Sequence, residues 1–153
     1  METLKKKIIL IGGSQEGKTT ICQYINNQKQ EYQKTQAVVY VGDTMIDTPG
    51  EYAERRSYYG SLQIISVDAD VVIFVKDASK HMSIFAPTFS SMFTKPVIGV
   101  ITHIDVATKK QIQDSHIYLE LAGARPVFEV CALTGKGIDK VIKYINKINL
   151  VEY

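Results

Sequence analysis

The feature that most constrains the fold is a glycine-rich stretch, residues 12–19, which we call the phosphate loop. It lies between an apolar run, Ile8-Ile9-Leu10-Ile11, which predicts a strand, and residues 18–26, which predict a helix. The stretch matches the pattern GxxxxGK(S/T), whose backbone N–H groups and following helix N-terminus bind phosphate groups. A plain glycine-rich turn is the alternative, but it does not account for a strand and a helix on either side.

Within this loop, each residue type has an expected task. Lys18 is predicted to reach the β- and γ-phosphate oxygens, and the Thr19 hydroxyl is predicted to bind Mg²⁺. Glycines let the backbone wrap closely around the phosphates. The residues predicted to bind nucleotide here are Gly12, Gly13, Ser14, Gln15, Glu16, Gly17, Lys18, Thr19 and Thr20.

The rest of the chain alternates between strand and helix patterns. Three more apolar runs predict strands buried on both faces, as in a parallel sheet: 71–75, 97–101 and 127–130. Helical patterns cover 55–66, 85–93, 109–122 and 138–148. Residues 37–41 and 44–46 flank Gly42-Asp43 and predict a hairpin with one antiparallel strand, while Gly123 is a plausible helix C-cap. We therefore expect a single α/β domain over residues 1–153, with a mostly parallel sheet of about six strands and helices on both faces.

Composition and charge argue against several classes of protein. The formal net charge of +2 is too weak and too scattered to favour nucleic acid or a membrane surface as a partner. Cys22 and Cys131 belong to no CxxC pair or Cys/His cluster, so neither a disulfide framework nor a zinc site is predicted. No apolar run is long enough to span a bilayer, and the N-terminus lacks a signal-peptide cleavage site. We expect a cytoplasmic protein without nucleic-acid or membrane partners.

A second motif, Asp47-Thr48-Pro49-Gly50, follows the second strand of the predicted hairpin. A carboxylate at the end of a strand can hold an Mg²⁺-bound water, and a glycine lets its N–H approach a γ-phosphate without a side chain in the way. The alternative is an ordinary turn, since Pro and Gly both favour one. Because the motif comes after a phosphate loop, we assign Asp47 to the metal and Gly50 to the γ-phosphate.

Two further segments follow strands and are candidates for contacting the base. Asp105, in Thr102-His103-Ile104-Asp105, can accept hydrogen bonds from guanine N1–H and N2–H₂, a donor pair that adenine lacks. It can equally serve as a helix N-cap. The second segment, 131–137, can present backbone N–H groups to the base, or can be a plain strand-to-helix connection. The residues assigned to the base of GTP or ATP are Thr102, His103, Asp105, Cys131, Ala132 and Leu133.

The order of these four segments resembles that of the Ras-like GTPases over nearly the whole chain. The resemblance implies a Ras-like P-loop NTPase fold in which Thr35 completes the Mg²⁺ shell; the alternative for Thr35 is a surface hydroxyl. Glu51 stands where those enzymes place a glutamine that orients the attacking water. The catalytic residues implied are Lys18, Gly50 and Glu51.

Four positions depart from the Ras-like pattern. His103, Thr102 and Cys131 replace the usual lysine, asparagine and serine, which weakens the case for strict GTP specificity. Glu51 replaces the glutamine, and its charge repels a γ-phosphate. Slow or altered turnover is therefore expected.

Three segments carry a closer resemblance: 34–37 (KTQA), 47–52 (DTPGEY) and 93–100 (FTKPVIGV). They are similar to the EutP/PduV family, small P-loop proteins associated with bacterial ethanolamine and propanediol utilisation. The resemblance implies a role linked to amine or diol catabolism. It implies partners in a microcompartment shell or among the utilisation enzymes.

Three functions remain open from the sequence. The first is a slow, Mg²⁺-dependent GTPase or nucleotide switch. The second is an ATP-dependent phosphotransferase that acts on acetate, an activity proposed for the resembled family. The third is a non-catalytic module that docks on a microcompartment according to its nucleotide state.

Overall fold

The computed structural model describes residues 2–26 and 38–148. Its strands are β1 (Ile8–Ile11), β2 (Val39–Val41), β3 (Met45–Asp47), β4 (Val71–Asp77), β5 (Val97–Thr102) and β6 (Val127–Glu129). Its α-helices are α1 (Lys18–Ile25), α2 (Gly50–Glu54), α3 (Tyr59–Ser66), α4 (Lys109–Leu121) and α5 (Ile138–Lys147). None of these helices is long and apolar enough to cross a bilayer.

The six strands form one sheet in the order β2-β3-β1-β4-β5-β6. β2 and β3 pair antiparallel as the predicted hairpin, and every other neighbouring pair is parallel. β1 and β4 are buried along their whole length, as expected of continuous apolar runs at the centre of a parallel sheet. The predicted architecture is confirmed.

Alternate residues of each strand face opposite sides of the sheet, and each side has its own apolar core. Ile8 and Leu10 of β1 pack in one core with residues of α1 and α5, whereas Ile9 and Ile11 pack in the other with residues of α3 and α4. Helices therefore cover both faces. The apolar face predicted for the last helix is buried: Ile138, Val141, Ile142 and Ile145.

α4 begins at the predicted residue, Lys109, and ends at Leu121, one residue before the predicted end. Thr108 and Gln111 form a reciprocal capping box at its start. Gly123, with φ of 94°, follows its last turn in the left-handed conformation that suits glycine. Local sequence signals thus set both ends of α4.

Two predicted helices are wrong in extent. Over 85–93 only Phe89–Met92 forms a short 3₁₀ helix, because Pro87 precedes Thr88, which has a positive φ of 64°. The helical spacing of Phe85, Phe89 and Phe93 instead packs their rings around Phe74.

The helix predicted over 55–66 is divided. A separate helix, α2, begins directly after Pro49, and the extended backbone of Arg55 ends it. A 3₁₀ turn, Arg56–Tyr58, then leads into α3. The extra helix carries two glutamates, Glu51 and Glu54, and the second of them contacts the phosphate loop.

Candidate nucleotide site

The phosphate loop leaves β1 and is held closely against the ends of β4 and β5. A side chain at Gly12 would place its Cβ 2.5 Å from the Val75 carbonyl oxygen, so only glycine fits there. Gly17 has φ of 96° and packs on Thr102. Gln15 also lies in the left-handed region, with φ of 61°. The loop therefore has the tight backbone path that its glycine pattern predicts.

Lys18 is folded back over the loop. Its side chain is buried, and its Nζ donates to the Gly13 carbonyl oxygen at 2.7 Å. Burial lowers the pKa of Lys18, while the charges of Asp47, Glu16 and Glu54 act in the opposite direction. The ammonium thus lies within the field of three carboxylates at one end of the sheet.

Thr19 and Asp47 meet beside the loop, as predicted for a metal-binding pair. Thr19 Oγ1 donates to Asp47 Oδ2 at 2.6 Å, and Asp47 is 2% exposed. Thr48 Oγ1 donates to the Leu10 carbonyl oxygen at 2.7 Å, which fixes the motif to β1. A hydroxyl and a carboxylate oxygen are donors that suit Mg²⁺. Thr35, the third predicted metal residue, lies outside the described residues.

In the described ranges, His, Cys, Asp and Glu side chains do not gather in threes or more at any potential metal site. An ion held by Thr19 and Asp47 would take further ligands from phosphate oxygens and water, which is how Mg²⁺ is commonly bound in phosphoryl-transfer sites. The pair therefore fits a metal that arrives with a nucleotide.

The start of α2 contacts the phosphate loop. A Cβ added to Gly50 would lie 2.2 Å from Ser14 N, so only glycine allows this approach. Ser14 N donates to Glu54 Oε1 at 2.7 Å. Glu51, the acid singled out from the sequence, lies half-buried in the first turn of the same helix. Glu54 was missed because α2 was not predicted; its spacing of three from Glu51 was the available signal.

Glu16 and Lys80 interact with each other beside the phosphate loop, on the side that faces the end of β4. Glu16 is 4% exposed and its Oε2 accepts a hydrogen bond from Asp77 N. Lys80 Nζ donates to the Ser14 carbonyl oxygen at 2.7 Å and lies 3.8 Å from Glu16 Oε1. Burial raises the pKa of Glu16, whereas the Asp77 N–H and the Lys80 charge lower it. Glu16 is among the residues predicted to bind nucleotide, and its carboxylate bonds to the end of β4. Only its backbone remains a candidate phosphate contact.

The last part of β4 carries a second buried lysine, which was not predicted from the sequence. Lys76 is 2% exposed, and its Nζ donates to the carbonyl oxygens of Asp77 and Lys80, each at 3.0 Å. Burial lowers the pKa of Lys76, and the charges of Glu16 and Asp77 oppose that shift. Lys76 therefore stabilises the turn from which Lys80 reaches the loop.

A pocket of about 100 Å³ adjoins the other end of the phosphate loop. Every residue assigned to the base lines this base pocket, together with two residues of the loop and α1: Gly17, Thr20, Thr102, His103, Asp105, Cys131, Ala132 and Leu133. Two segments far apart in the chain are therefore brought together as predicted.

Thr102 and His103 join the base pocket to the phosphate loop. Thr102 Oγ1 donates to the Glu16 carbonyl oxygen at 2.7 Å and lies 2.9 Å from His103 Nδ1. His103 has a positive φ of 61°, and its Nδ1 is 3.3 Å from Asp77 Oδ2. Asp105 is exposed at the edge of the pocket. A hydrogen-bonded threonine thus connects the two halves of the site.

This sheet order and these loop positions define the class: a Ras-like P-loop GTPase fold. Among solved structures, the fold matches the Era protein of Aquifex aeolicus bound to GDP·AlF4⁻, with a TM-score of 0.67, 21% identity and 97% of this chain covered. It also matches elongation factor SelB of Methanococcus maripaludis in complex with the GTP analogue GPPNHP, with a TM-score of 0.66, 17% identity and 99% of this chain covered. The match spans 57% of the Era chain and 36% of the SelB chain.

The chain belongs to the PduV-EutP family, described as ethanolamine utilisation - propanediol utilisation, whose profile matches residues 5–147. It is 40% identical over 141 residues to "Propanediol utilization protein PduV" of Citrobacter freundii, covering 92% of this chain and 93% of the relative. It is 27% identical over 148 residues to "Probable acetate kinase EutP" of Escherichia coli K12, covering 96% of this chain and 93% of the relative. The resemblance drawn from the sequence is confirmed.

Proposed function

We propose that this protein binds GTP or ATP with Mg²⁺ and acts as a slow GTPase or nucleotide switch in propanediol or ethanolamine utilisation. The main support is that the phosphate loop, the Thr19–Asp47 pair and the base pocket adjoin one another at the carboxyl ends of the strands. The family supplies the metabolic setting. We further propose that residues 1–153 act as one cytoplasmic domain. Its partners would be microcompartment shell or utilisation enzymes, with neither nucleic acid nor a membrane.

In this proposal, catalysis depends on positioning and charge stabilisation. Lys18 and the N–H groups of the phosphate loop stabilise charge on the β- and γ-phosphates, and the Gly50 N–H contacts the γ-phosphate. Glu51 orients the attacking water. Thr19 and Asp47 would hold Mg²⁺, which would neutralise phosphate charge. Thr35 is proposed as a further metal residue.

The test is calorimetric titration of the wild type and Lys18→Ala with GTP, ATP, GDP and ADP in the presence of Mg²⁺. Each charge-assisted hydrogen bond lost contributes about 1.5–3 kcal/mol, so the triphosphate Kd should rise at least about tenfold. Circular dichroism checks that the variant remains folded. An unchanged Kd in a folded Lys18→Ala variant would remove the phosphate-loop assignment.

A second candidate is transfer of the γ-phosphoryl group to acetate. The observation that favours it is the 27% identity over 148 residues to "Probable acetate kinase EutP" of Escherichia coli K12. In such a step an acetate oxygen attacks the γ-phosphorus. The bond from that phosphorus to the bridging oxygen breaks, and its electron pair leaves with the diphosphate.

Turnover assays separate the candidates. Phosphate release with water as the acceptor supports the GTPase. Diphosphate release that requires acetate, with acetyl phosphate as the second product, supports the phosphotransferase. Tight binding with neither activity supports a nucleotide-gated docking module.

A further inference from the structure

Glu54 places a carboxylate directly on the phosphate loop. Its Oε1 accepts the hydrogen bond from Ser14 N at 2.7 Å and lies 3.2 Å from where a Cβ of Gly13 would stand. Its charge is one of those that raise the pKa of Lys18 against the effect of burial. The carboxylate therefore occupies the Ser14 end of the loop, within the electrostatic reach of the lysine.

The position of Glu54 follows from how α2 is attached. Gly50 approaches Ser14 so closely that no side chain fits between them, which sets the start of the helix against the loop. Four residues later, in the last turn of α2, Glu54 faces the same Ser14 N–H. The residue as a whole is exposed, so its carboxylate can turn into solvent without unpacking a core.

The orientation of a bound nucleotide would determine which of its phosphates lies next to the Glu54 carboxylate. The base pocket is lined by Gly17 and Thr20, at the α1 end of the loop. Lys18 begins α1, and its Nζ reaches back to the carbonyl oxygen of Gly13, the residue before Ser14. A nucleotide with its base in the pocket thus extends its phosphates toward Ser14, and the last phosphate comes closest to Glu54.

We propose that Glu54 is a specificity-determining residue that disfavours the third phosphate. This inference rests on the proposed nucleotide binding at the same site. A γ-phosphate and the Glu54 carboxylate are both negative and compete for the same N–H of Ser14. A triphosphate must displace the carboxylate, whereas a diphosphate leaves it in place. Glu54 therefore lowers triphosphate affinity relative to diphosphate affinity.

The experiment measures the Kd of GDP and GTP, and of ADP and ATP, by calorimetry with the wild type, Glu54→Gln and Glu120→Gln. Glutamine keeps an oxygen for the Ser14 N–H but removes the charge. Glu120 is an exposed acid on α4, so Glu120→Gln makes the same change in net charge away from the loop. Glu54→Gln should increase the ratio of diphosphate Kd to triphosphate Kd about tenfold, and Glu120→Gln should leave it unchanged.

Salt supplies a second measurement on the same proteins. Screening weakens the repulsion, so raising the salt concentration should shift the wild-type ratio toward triphosphate more than it shifts that of Glu54→Gln. The inference about Glu54 is overturned, and the proposed function is not, if Glu54→Gln binds nucleotide with the wild-type ratio of diphosphate Kd to triphosphate Kd. The same holds if Glu120→Gln changes that ratio as much as Glu54→Gln does. Wild-type protein that binds no nucleotide overturns the proposed function itself and this inference with it.

Discussion

At the scale of single residues, His103 stands where Ras-like GTPases usually carry a lysine. Its backbone is in the left-handed region, and its Nδ1 lies 3.3 Å from Asp77 Oδ2 and 2.9 Å from Thr102 Oγ1. A lysine at this position would bring a flexible stem and a fixed positive charge. The imidazole is instead tied to the end of β4. If a base binds in this pocket, we expect its recognition to depend more on Asp105 and on the backbone of 131–133 than on His103.

The first prediction concerns the choice of base. If Asp105 accepts hydrogen bonds from guanine, GTP should bind more tightly than ATP, and Asp105→Asn should narrow that difference about tenfold. Parallel titrations of both nucleotides with the wild type and the variant measure it. Equal wild-type affinities for GTP and ATP would show that Asp105 has no role in choosing the base.

The second prediction concerns Glu16 and pH. Burial raises the pKa of Glu16 above its ordinary 4.5, so the folded protein binds this proton more tightly than the unfolded chain does. The stability contributed by the protonated group is therefore lost as pH rises from 4.5 through the raised pKa. Glu16→Gln retains an oxygen for the Asp77 N–H but does not titrate.

The measurement is the unfolding midpoint Tm of both proteins at a series of pH values from acid to neutral. Relative to Glu16→Gln, the wild type should lose stability as pH rises. A difference in Tm that stays constant across the series would contradict a raised pKa.

At the scale of elements, α2 explains why part of the site was not predictable. The Pro49-Gly50 pair is a turn signal in the sequence, but here it starts a helix. That helix is short and its position is fixed by a contact with Ser14, a residue distant in the chain. Local patterns carry no information about such contacts, so the contact of Glu54 with the phosphate loop could not be predicted. For the same reason the sequence did not predict the contact of Lys80, which reaches the phosphate loop from the turn after β4.

The third prediction tests the attachment of α2. Gly50→Ala places a Cβ 2.2 Å from Ser14 N, so the helix or the loop must move. We expect a loss of about 1–3 kcal/mol in the free energy of unfolding. We also expect slower nucleotide turnover, because the proposed contact of the Gly50 N–H with a γ-phosphate would be displaced.

Gly60→Ala is the matched control. Gly60 lies in α3, and a Cβ there meets nothing within 4 Å. Alanine should therefore stabilise the helix by about 0.5–1 kcal/mol and leave turnover unchanged. Urea unfolding and a phosphate-release assay measure both variants; equal effects of the two substitutions would rule out a specific contact at Gly50.

At the scale of the whole molecule, the two cores made the fold predictable. Burial is visible in the local sequence as the apolar run of β4 and the one-sided apolar pattern of α5. The bounds of both elements were predicted within a few residues. Residues 85–93 were wrongly predicted to form one helix because their phenylalanines are spaced by four. In the structure, this spacing packs the rings of Phe85 and Phe93 on Phe74. The sequence thus predicted the sheet, the helices on both its faces and the order of the loops along the chain. It did not predict the irregular segment 85–93, whose phenylalanines fill one core.

The fourth prediction concerns a contact between the two ends of the described chain. Lys6 Nζ donates to the carbonyl oxygens of Ile145, Asn146 and Ile148, where α5 ends and carbonyl groups lack helical partners. Lys6→Met should lower the free energy of unfolding by about 1–2 kcal/mol. Nucleotide affinity should be unchanged, because Lys6 precedes β1 and the phosphate loop follows it.

Lys5→Met is the control for this contact, since the exposed Lys5 is bonded to Asn146 through its backbone N–H, which the substitution keeps. Denaturant unfolding of both variants gives the comparison. Equal stability of Lys6→Met and Lys5→Met would mean that the ammonium contributes nothing at the end of α5.

The central place of β1 has a consequence for how the protein acquires its binding site during synthesis. β1 is made before β3 and β4, the strands on either side of it, and the base pocket is completed only by residues 131–133. Parallel pairings between distant strands form slowly, because long loops must close first. A nascent chain that stops before β6 already contains the whole phosphate loop but lacks part of the pocket wall. The pocket beside the phosphate loop is therefore among the last parts of the candidate site that the folding chain completes.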